Sequence, residues 1–575
     1  MTTYILGTGL SHDGSSCLMK DGVIVAGIEK ERLTRQKHDG FNDDLTLQYC
    51  LDSAGISWSD VDLVVENNTV NPYDQSDEER RGDRIIPASV PRVNISHHLA
   101  HAYSVAGMSP LPRMAVVVLD GRGSSLDNCI DAPDSVLPPE IAAVAPAERS
   151  GFWEKESLYL FDGKLVEPVF KDFSPLRSTV APVRHPMMPR SLAHGIGAVY
   201  GAVSRYVFGK SFTEGKLMGL APYGRPGHFD FPIFDLAEGR VFARYDWYSR
   251  FPAELAGDGL NLRENFQYYA DLAHHVQSEA ERAILHLFGE YHRMSGEPAA
   301  GYAGGVALNA VCNGKIVAKT PFEELYIQPA AGDNGIALGC AYYGWLQTLG
   351  QPPVRHDGST AFARPFTEQE VRAALAEFAD RCVVEGPFPV EERSRRAAAM
   401  IADGEVLGWF QGPSEFGPRA LGHRSILADP RREHLRDHIN ANVKFREDFR
   451  PFAPATLAAE ADKYFEGVTD SPYMISVSQV PEHLRKALPA VTHRDGSARL
   501  QTVTPTSNPA FWALLTHLKS LTGLPICLNT SLNRRGMPIV ETPAQALSLL
   551  CETALDAMVL EGFIVRRVGA PGTPS

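Results

Sequence analysis

No run of about eighteen uninterrupted apolar residues occurs in the chain, so a membrane-spanning helix is not expected. The opening MTTYILGTGL lacks a basic region followed by an apolar one, and no secretory signal is expected either. Paired cysteines are missing as well. Cys17, Cys50, Cys129, Cys312, Cys340, Cys382, Cys527 and Cys551 are scattered without a CxxC spacing. That pattern argues for reduced thiols and a cytoplasmic setting, and against an ordinary cysteine zinc site. Positive charge is in deficit: the formal net charge of −14 argues against generic nucleic-acid binding. It leaves room for a phosphorylated small molecule held in one local basic pocket. What remains is globular in character, with 44% hydrophobic and 22% charged residues, and 575 residues ask for two or more domains.

The first half repeats itself. Tyr4–Gly9 reads as a buried strand entering the polar loop Ser11–Ser16, followed by a hairpin turning on Asp21-Gly22. Met114–Leu119 reads as a second such strand. It enters Asp120–Ser125, and after an insertion a hairpin turns on Asp162-Gly163. Strand, acidic Gly/Ser loop and Asp-Gly hairpin therefore occur twice, which predicts a duplicated α/β unit around a cleft. A long helix is expected over 265–294, a helix over 307–318, and a last apolar helix over 336–349. The loops Tyr302–Gly305 and Ala330–Gly335 add two more Gly-rich turns. Two halves with such turns match the actin/hexokinase/Hsp70 type of ATP-binding fold, whose phosphate cradles are backbone loops.

His97 and His101, four apart at the start of an expected helix, point off one face and can converge on a metal. His98 points elsewhere. The best-placed further ligands are carboxylates in strand-end loops, Asp120 and Asp333. A two-His, two-carboxylate set suits iron or another transition metal better than closed structural zinc. The alternative is a helix that merely packs or caps with histidines.

Within the acidic chain one stretch, Gly408–Ala455, gathers Arg419, Arg424, Lys444, Arg446 and Arg450 among Gly, Pro, Phe and Ala. Guanidinium groups in apolar surroundings need anionic partners. The nearest acids are Glu415, Glu447 and Asp448, while Asp429, Glu433 and Asp437 have Arg431, Arg432 and Arg436 beside them. Some of the cations are thus left for a ligand, and planar Arg forks suit phosphate or carboxylate. Internal ion pairing is the competing explanation, and it is the preferred one for Arg446 beside Glu447. Arg534 and Arg535 read equally well as solvent-facing turn residues.

Several segments together resemble the O-carbamoyltransferases of the nodulation-factor, cephamycin and aminoglycoside type. They are Ser11–Ser15, Glu29–His38 (EKERLTRQKH), His97–Ala102, Glu214–Pro222, Ala303–Asn309, Ser414–Leu427, Lys444–Pro454 and Leu528–Val540, in family order from end to end. The resemblance implies a threonylcarbamoyl-transferase-like domain over 1–350. A linker at Gly350–Pro365 then leads to a threonylcarbamoyl-adenylate-synthase-like α/β domain over 366–575. It implies that ATP and carbamoyl phosphate give carbamoyl-adenylate in the second domain, and that the first passes the carbamoyl group to a small-molecule hydroxyl. It puts Fe(2+) on His97, His101, Asp120 and Asp333, and leaves room for Mg(2+) and for a homo-oligomer. Met537 stands where the family usually has Glu, and His423 where Asn is common.

Adenylate formation needs cations and amide donors around the phosphoryl oxygens. Lys444, Arg450 and Arg419 are the candidates to grip phosphates, with Arg499, Ser531 and Asn533 completing the pocket. His12 is the candidate general base or orienting group for the acceptor hydroxyl, a backbone-bonded loop histidine being the alternative. Gly304, Gly305 and Asn309 fit adenosine and phosphate contacts. Glu214 and Lys216 fit them too, unless they pair internally. Carbamoyl transfer to tRNA or in hydrogenase maturation, and a non-catalytic nucleotide-binding regulator, are the competing functions. The acceptor pocket is expected in the insertions Asn67–Pro91 and Leu126–Phe152.

Overall fold

The computed structural model describes residues 2–67, 84–175, 195–244, 247–252, 255, 257 and 262–569. Most of the insertion 67–91 therefore lies outside the described residues. The chain divides into two units. The first comprises Met1–Lys30 and Gly40–Gly358, the second Glu31–Asp39 and Ser359–Ser575. The segment Glu31–Asp39 groups with the second unit, although in sequence it sits inside the first.

The first unit holds two five-stranded sheets. One contains β1 (Tyr4–Gly9), β2 (Ser15–Lys20), β3 (Val23–Glu29), β4 (Leu63–Asn67) and β5 (Arg92–Ile95) in the order β3-β2-β1-β4-β5. The other contains β6 (Met114–Leu119), β7 (Phe152–Phe161) and β8 (Val166–Pro175). A small hairpin of β9 (Phe234–Ala237) and β10 (Arg240–Ala243) follows, and then come β11 (Ala299–Ala303) and β12 (Glu324–Ile327). The second sheet runs β12-β11-β6-β7-β8. In both, the first two pairings are antiparallel hairpins and the first strand then pairs parallel with the fourth. The duplication read from the paired Asp-Gly turns is thus one topology used twice, that of the actin/hexokinase/Hsp70 type.

A helix follows the fifth strand of each sheet, His97–Met108 in one half and Ile336–Tyr343 in the other, and the two pack together. Their approach is set by Gly339: a Cβ there would lie 1.7 Å from the Ala100 carbonyl oxygen. The helix expected over 307–318 is broken into a 3-10 turn Gly305–Leu308 and short helices Ala310–Asn313 and Ile316–Lys319. Asn309 causes the break, its side chain capping the Cys312 amide. The helix expected over 336–349 widens into a π-turn over Gly344–Thr348.

The second unit is built on an eight-stranded mixed sheet, β13-β22-β21-β14-β15-β20-β16-β19. Its strands are β13 (Cys382–Glu385), β14 (Leu407–Phe410), β15 (Arg424–Ala428), β16 (Ala453–Leu457), β19 (Gln501–Val503), β20 (Ile526–Ser531), β21 (Ala557–Leu560) and β22 (Phe563–Arg567), with β17 (Val477–Gln479) and β18 (Ser497–Arg499) paired separately. Helices Glu368–Glu377 and Pro543–Glu552 cover one face. Val390–Asp403 and Pro509–Thr522 cover the other, each face with its own apolar core. That is the α/β class expected for the region.

Candidate active sites

In the first unit the loops that carry the candidate residues all leave the C-terminal ends of parallel strands, where α/β sheets commonly bind ligands. His12 follows β1 and Asp120 occupies the equivalent place after β6. His97 and His101 open the helix after β5, and Asp333 immediately precedes the helix after β12. The duplication therefore brings two pairs of equivalent loops to one point. Ligand atoms of His97, His101, Asp120 and Asp333 lie within 4.8 Å of one another, and all four residues are buried.

Charge decides how this cluster is held. Burial alone would drive the His97 pKa down, but Asp333 and Asp120 beside its Nε2 (3.4 and 3.2 Å) hold it up at about 10. The Asp333 carboxyl lies well below its ordinary range: burial opposes ionisation, and His97 and His12 outweigh it. Two buried carboxylates thus require positive charge at this spot, which a metal cation would supply. His101 points to the same conclusion. Both its ring nitrogens are buried without a hydrogen-bond partner, Nε2 lying 3.8 Å from Asp333, too long for a hydrogen bond. The four residues fit a metal. His98 points away, hydrogen-bonded to Ser157 (2.8 Å), and burial lowers its pKa to about 4.

Two further residues shape the cluster. Asn67, at the end of β4, takes its orientation from the Ile95 carbonyl (2.7 Å) and sets its Oδ1 3.1 Å from His97 Nδ1. That bond turns Nε2 toward the carboxylates, the usual second-layer support of a metal histidine. Nothing in the sequence spacing singles out Asn67; only the strand pairing places it there. Gly305 donates its amide to Asp120 Oδ1 at 2.8 Å, so this donor orients a carboxylate in place of a phosphate. Gly304 is left-handed (φ 91°), and a Cβ on it would lie 2.2 Å from the Leu119 carbonyl oxygen.

His12 sits at the rim. Its Nδ1 is 3.2 Å from Asp333 and its Nε2 3.4 Å from Asp13, while its ring stacks on Phe212 at 4.7 Å. Burial would lower its pKa; Asp333, Asp13 and Asp120 prevail and raise it to about 9. Asn309 is occupied with Gln277 (Nδ2 to Oε1, 3.2 Å) and with its cap on Cys312. The ammonium of Lys216 lies 5.3 Å from the Phe208 ring centre. The insertion 126–152 forms a small core of its own from Leu126, Leu137, Ile141 and Phe173.

In the second unit Lys444 ends a π-turn, Ile439–Lys444, closed by left-handed Phe445 (φ 51°). Its buried ammonium donates to the Ser531 carbonyl (2.6 Å), Ser531 Oγ (3.1 Å) and Asn533 Oδ1 (2.5 Å). All three acceptors are neutral. Burial pushes its pKa well down, and Arg446, Arg450 and Lys37 push the same way. Arg419 is lowered to about 10 by burial and by Arg450, and its Nε is buried without a partner. Arg499, on β18, is lowered strongly by burial and then by Arg419, Arg446 and Arg450. Its Nη2 approaches only the Met474 sulfur at 3.9 Å. Burial also lowers Arg450, and Glu447 at 4.0 Å compensates in part.

Of the nearby acids Glu415 is committed elsewhere, and Glu447 is shared between Arg450 and Arg535. Glu415 Oε1 accepts the amides of Leu421, His423 and Arg424. Glu447 binds Arg535 at 3.2 Å, so Arg446 does not form the structural ion pair expected with it. Arg446 instead donates to Asn440 Oδ1 (2.7 Å), lies over the Phe452 ring, and belongs electrostatically to the cationic group. Arg424 leaves that group. It is fully buried over the Phe410 ring at 3.5 Å and donates to the Gly412 and His423 carbonyls. Arg431 and Arg432 pair with Asp429, and Arg436 with Glu433 and Asp437, as their adjacency implied. Arg534 pairs with Glu552 at 2.9 Å. His423 is a structural residue, hydrogen-bonded to the Gln411 carbonyl and lowered by burial. Met537 serves through its backbone, its carbonyl accepting Asn533 Nδ2 at 2.6 Å.

One unit therefore carries a metal-ready carboxylate–histidine cluster and the other a cationic pocket short of anions, the equipment of a group transferase acting on phosphorylated donors. The chain belongs to the carbamoyltransferase family. The model of the carbamoyltransferase N-terminus matches residues 4–79 and 147–342, and that of the carbamoyltransferase C-terminus matches 398–567. Nodulation protein NolNO of Sinorhizobium fredii is 33% identical over 97% of this chain and 79% of its own length. Nodulation protein NolO of Bradyrhizobium diazoefficiens is 33% identical over 82% of this chain and 79% of its own. An uncharacterized Synechocystis protein is 32% identical over 99% and 97% respectively. This protein is accordingly a carbamoyltransferase enzyme.

Proposed function

We propose that the enzyme is an ATP-dependent O-carbamoyltransferase whose second unit makes carbamoyl-adenylate and whose first unit delivers the carbamoyl group to a small-molecule hydroxyl. The observation that carries this is the group Lys444, Arg446, Arg450, Arg419 and Arg499, buried, mutually repelling, and served chiefly by neutral acceptors. Such a group is stable in a folded protein when polyanionic ligands supply the missing charge.

In the proposed sequence, water displaces phosphate from carbamoyl phosphate to leave carbamate. A carbamate oxygen attacks the α-phosphorus of ATP, the bond to the β-phosphate oxygen breaks, and pyrophosphate leaves. Lys444 and the arginines balance the charge that grows on the phosphoryl oxygens. In the first unit the acceptor oxygen attacks the carbamoyl carbon, AMP departs, and the hydroxyl proton passes to a base. His12 at the rim carries a proton near neutral pH, where Asp333, Asp13 and Asp120 outweigh burial, and is assigned to orient the acceptor hydroxyl. His97, His101, Asp120 and Asp333 would hold iron, which would supply a Lewis-acid charge for a phosphate or carbamoyl oxygen.

Purified protein given ATP and carbamoyl phosphate is expected to release pyrophosphate. Lys444→Ala or Arg450→Ala should lower that release by about 100-fold, the usual scale for removing one charge-stabilising donor. Release at the wild-type rate in both variants would overturn the assignment.

A further inference from the structure

We propose that Arg35 is a positioning residue for Lys444, holding in place the loop on which the lysine ammonium is anchored. The proposal rests on the assignment of the cationic pocket to phosphorylated substrates.

Arg35 lies in Glu31–Asp39, the early segment that groups with the second unit. Its guanidinium spans two successive carbonyls, Nη1 donating to Ile539 at 2.6 Å and Nη2 to Pro538 at 2.8 Å. These partners are 504 and 503 residues away in sequence. Two parallel bonds from one planar fork fix both distance and direction.

The grip passes down the loop through hydrogen bonds. Beside Pro538, the Met537 carbonyl accepts Asn533 Nδ2 at 2.6 Å. Asn533 Oδ1 in turn accepts from Lys444 Nζ at 2.5 Å and from Ser531 Oγ at 2.7 Å. The Arg535 amide, in the same loop, donates to the Lys444 carbonyl at 2.9 Å. Lys444 is thus tied at both ends to a loop whose far side is tied to Arg35.

The segment is constrained accordingly. Arg35 and His38 are both left-handed, at φ 62° and 56°, a conformation that a non-glycine residue keeps only where the surroundings enforce it. Arg32, one helical turn earlier and fully buried, donates to the Glu415 and Gly417 carbonyls at 3.2 and 2.9 Å. That fixes the same segment to the loop leading into Arg419. Glu31 closes it from the other side, accepting from Lys37 Nζ at 2.9 Å and from the His38 amide at 3.1 Å.

The test is a double-mutant cycle in the full-length protein with pyrophosphate as probe, read by titration calorimetry beside the pyrophosphate-release assay. Arg35→Ala should weaken pyrophosphate binding about tenfold, and Arg35→Lys, which restores one donor, should recover part of that. In a Lys444→Ala background, Arg35→Ala should cost less than about twofold more, because its effect runs through the lysine. Binding within twofold of wild type for Arg35→Ala, or a full additional loss in the Lys444→Ala background, overturns the proposal. If Arg35→Ala does not fold, Arg35→Gln takes its place in the cycle, and failure of both to fold assigns Arg35 to stability alone and overturns it too. A wild-type protein that neither binds pyrophosphate nor releases it from ATP would instead refute the pocket assignment, and this inference with it.

Discussion

Lys444 is a cation whose fold works against its charge. Burial, joined by Arg446, Arg450 and Lys37, holds its pKa below the ordinary 10.5, and an arriving anion works against that shift. The sign follows: binding draws a proton from solvent between the free and bound pKa values, and affinity declines as pH rises through that window. Calorimetry of pyrophosphate binding in two buffers of different ionisation enthalpy should register less proton uptake in Lys444→Ala than in wild type. His101 makes the opposite case, a buried imidazole with two unsatisfied nitrogens. His101→Ala is expected to abolish bound iron by elemental analysis while the metal-free protein keeps its fold by circular dichroism. Equal iron in both proteins would remove the metal assignment. The four clustered residues were legible in the sequence because helical spacing and strand-end loops are local features. Asn67 was not, because its role exists only once β4 lies beside β5.

The pair of helices His97–Met108 and Ile336–Tyr343 sets the spacing between the histidines and Asp333. Gly339→Ala would drive a methyl group into the Ala100 backbone, which cannot rotate away as a side chain could. A loss of at least about 3 kcal/mol is expected in denaturant unfolding, together with lower iron content. Strand β7 is the instructive miss among the elements. The sequence reading began it at Ser157 and left Phe152 in an insertion; the strand begins at Phe152 and runs through Glu154, Lys155 and Glu156. Three charges in a row do not resemble a buried strand, yet all are buried: the neighbouring strand answers Glu154 and Lys155, and Glu156 meets Lys155 on its own strand. Lys171 reaches Glu154 at 2.5 Å, and Lys155 reaches Asp172 at 2.8 Å. Cross-strand compensation of this kind is invisible to a one-strand pattern. The Asp-Gly hairpins were legible because turn chemistry is carried by adjacent residues.

Across the whole molecule, a net charge of −14 coexists with a pocket of five cations, so its electrostatics are local in the sense the composition allowed. The division into units was harder to read. The Pro/Gly-rich stretch after Gly350 marks the boundary near Gly358, but nothing in EKERLTRQKH announces that it groups with residues hundreds of positions later. Residues 359–575 produced alone, lacking Glu31–Asp39, are expected to unfold at lower temperature than the corresponding transition of the full chain. They should also bind pyrophosphate at least about tenfold more weakly, and adding a synthetic 31–39 peptide at high concentration should restore part of both.

The arrangement also fixes an order of events in biosynthesis. Arg35 leaves the ribosome early, whereas Pro538 and Ile539 are translated 503 and 504 positions later, an interval of roughly 25–100 s at ordinary elongation rates. Throughout that time the nonapeptide must wait without its carbonyl acceptors. Any nascent or truncated chain ending before them carries a stranded arginine clamp, and a cell that makes this enzyme has reason to shield it until Pro538 and Ile539 are made.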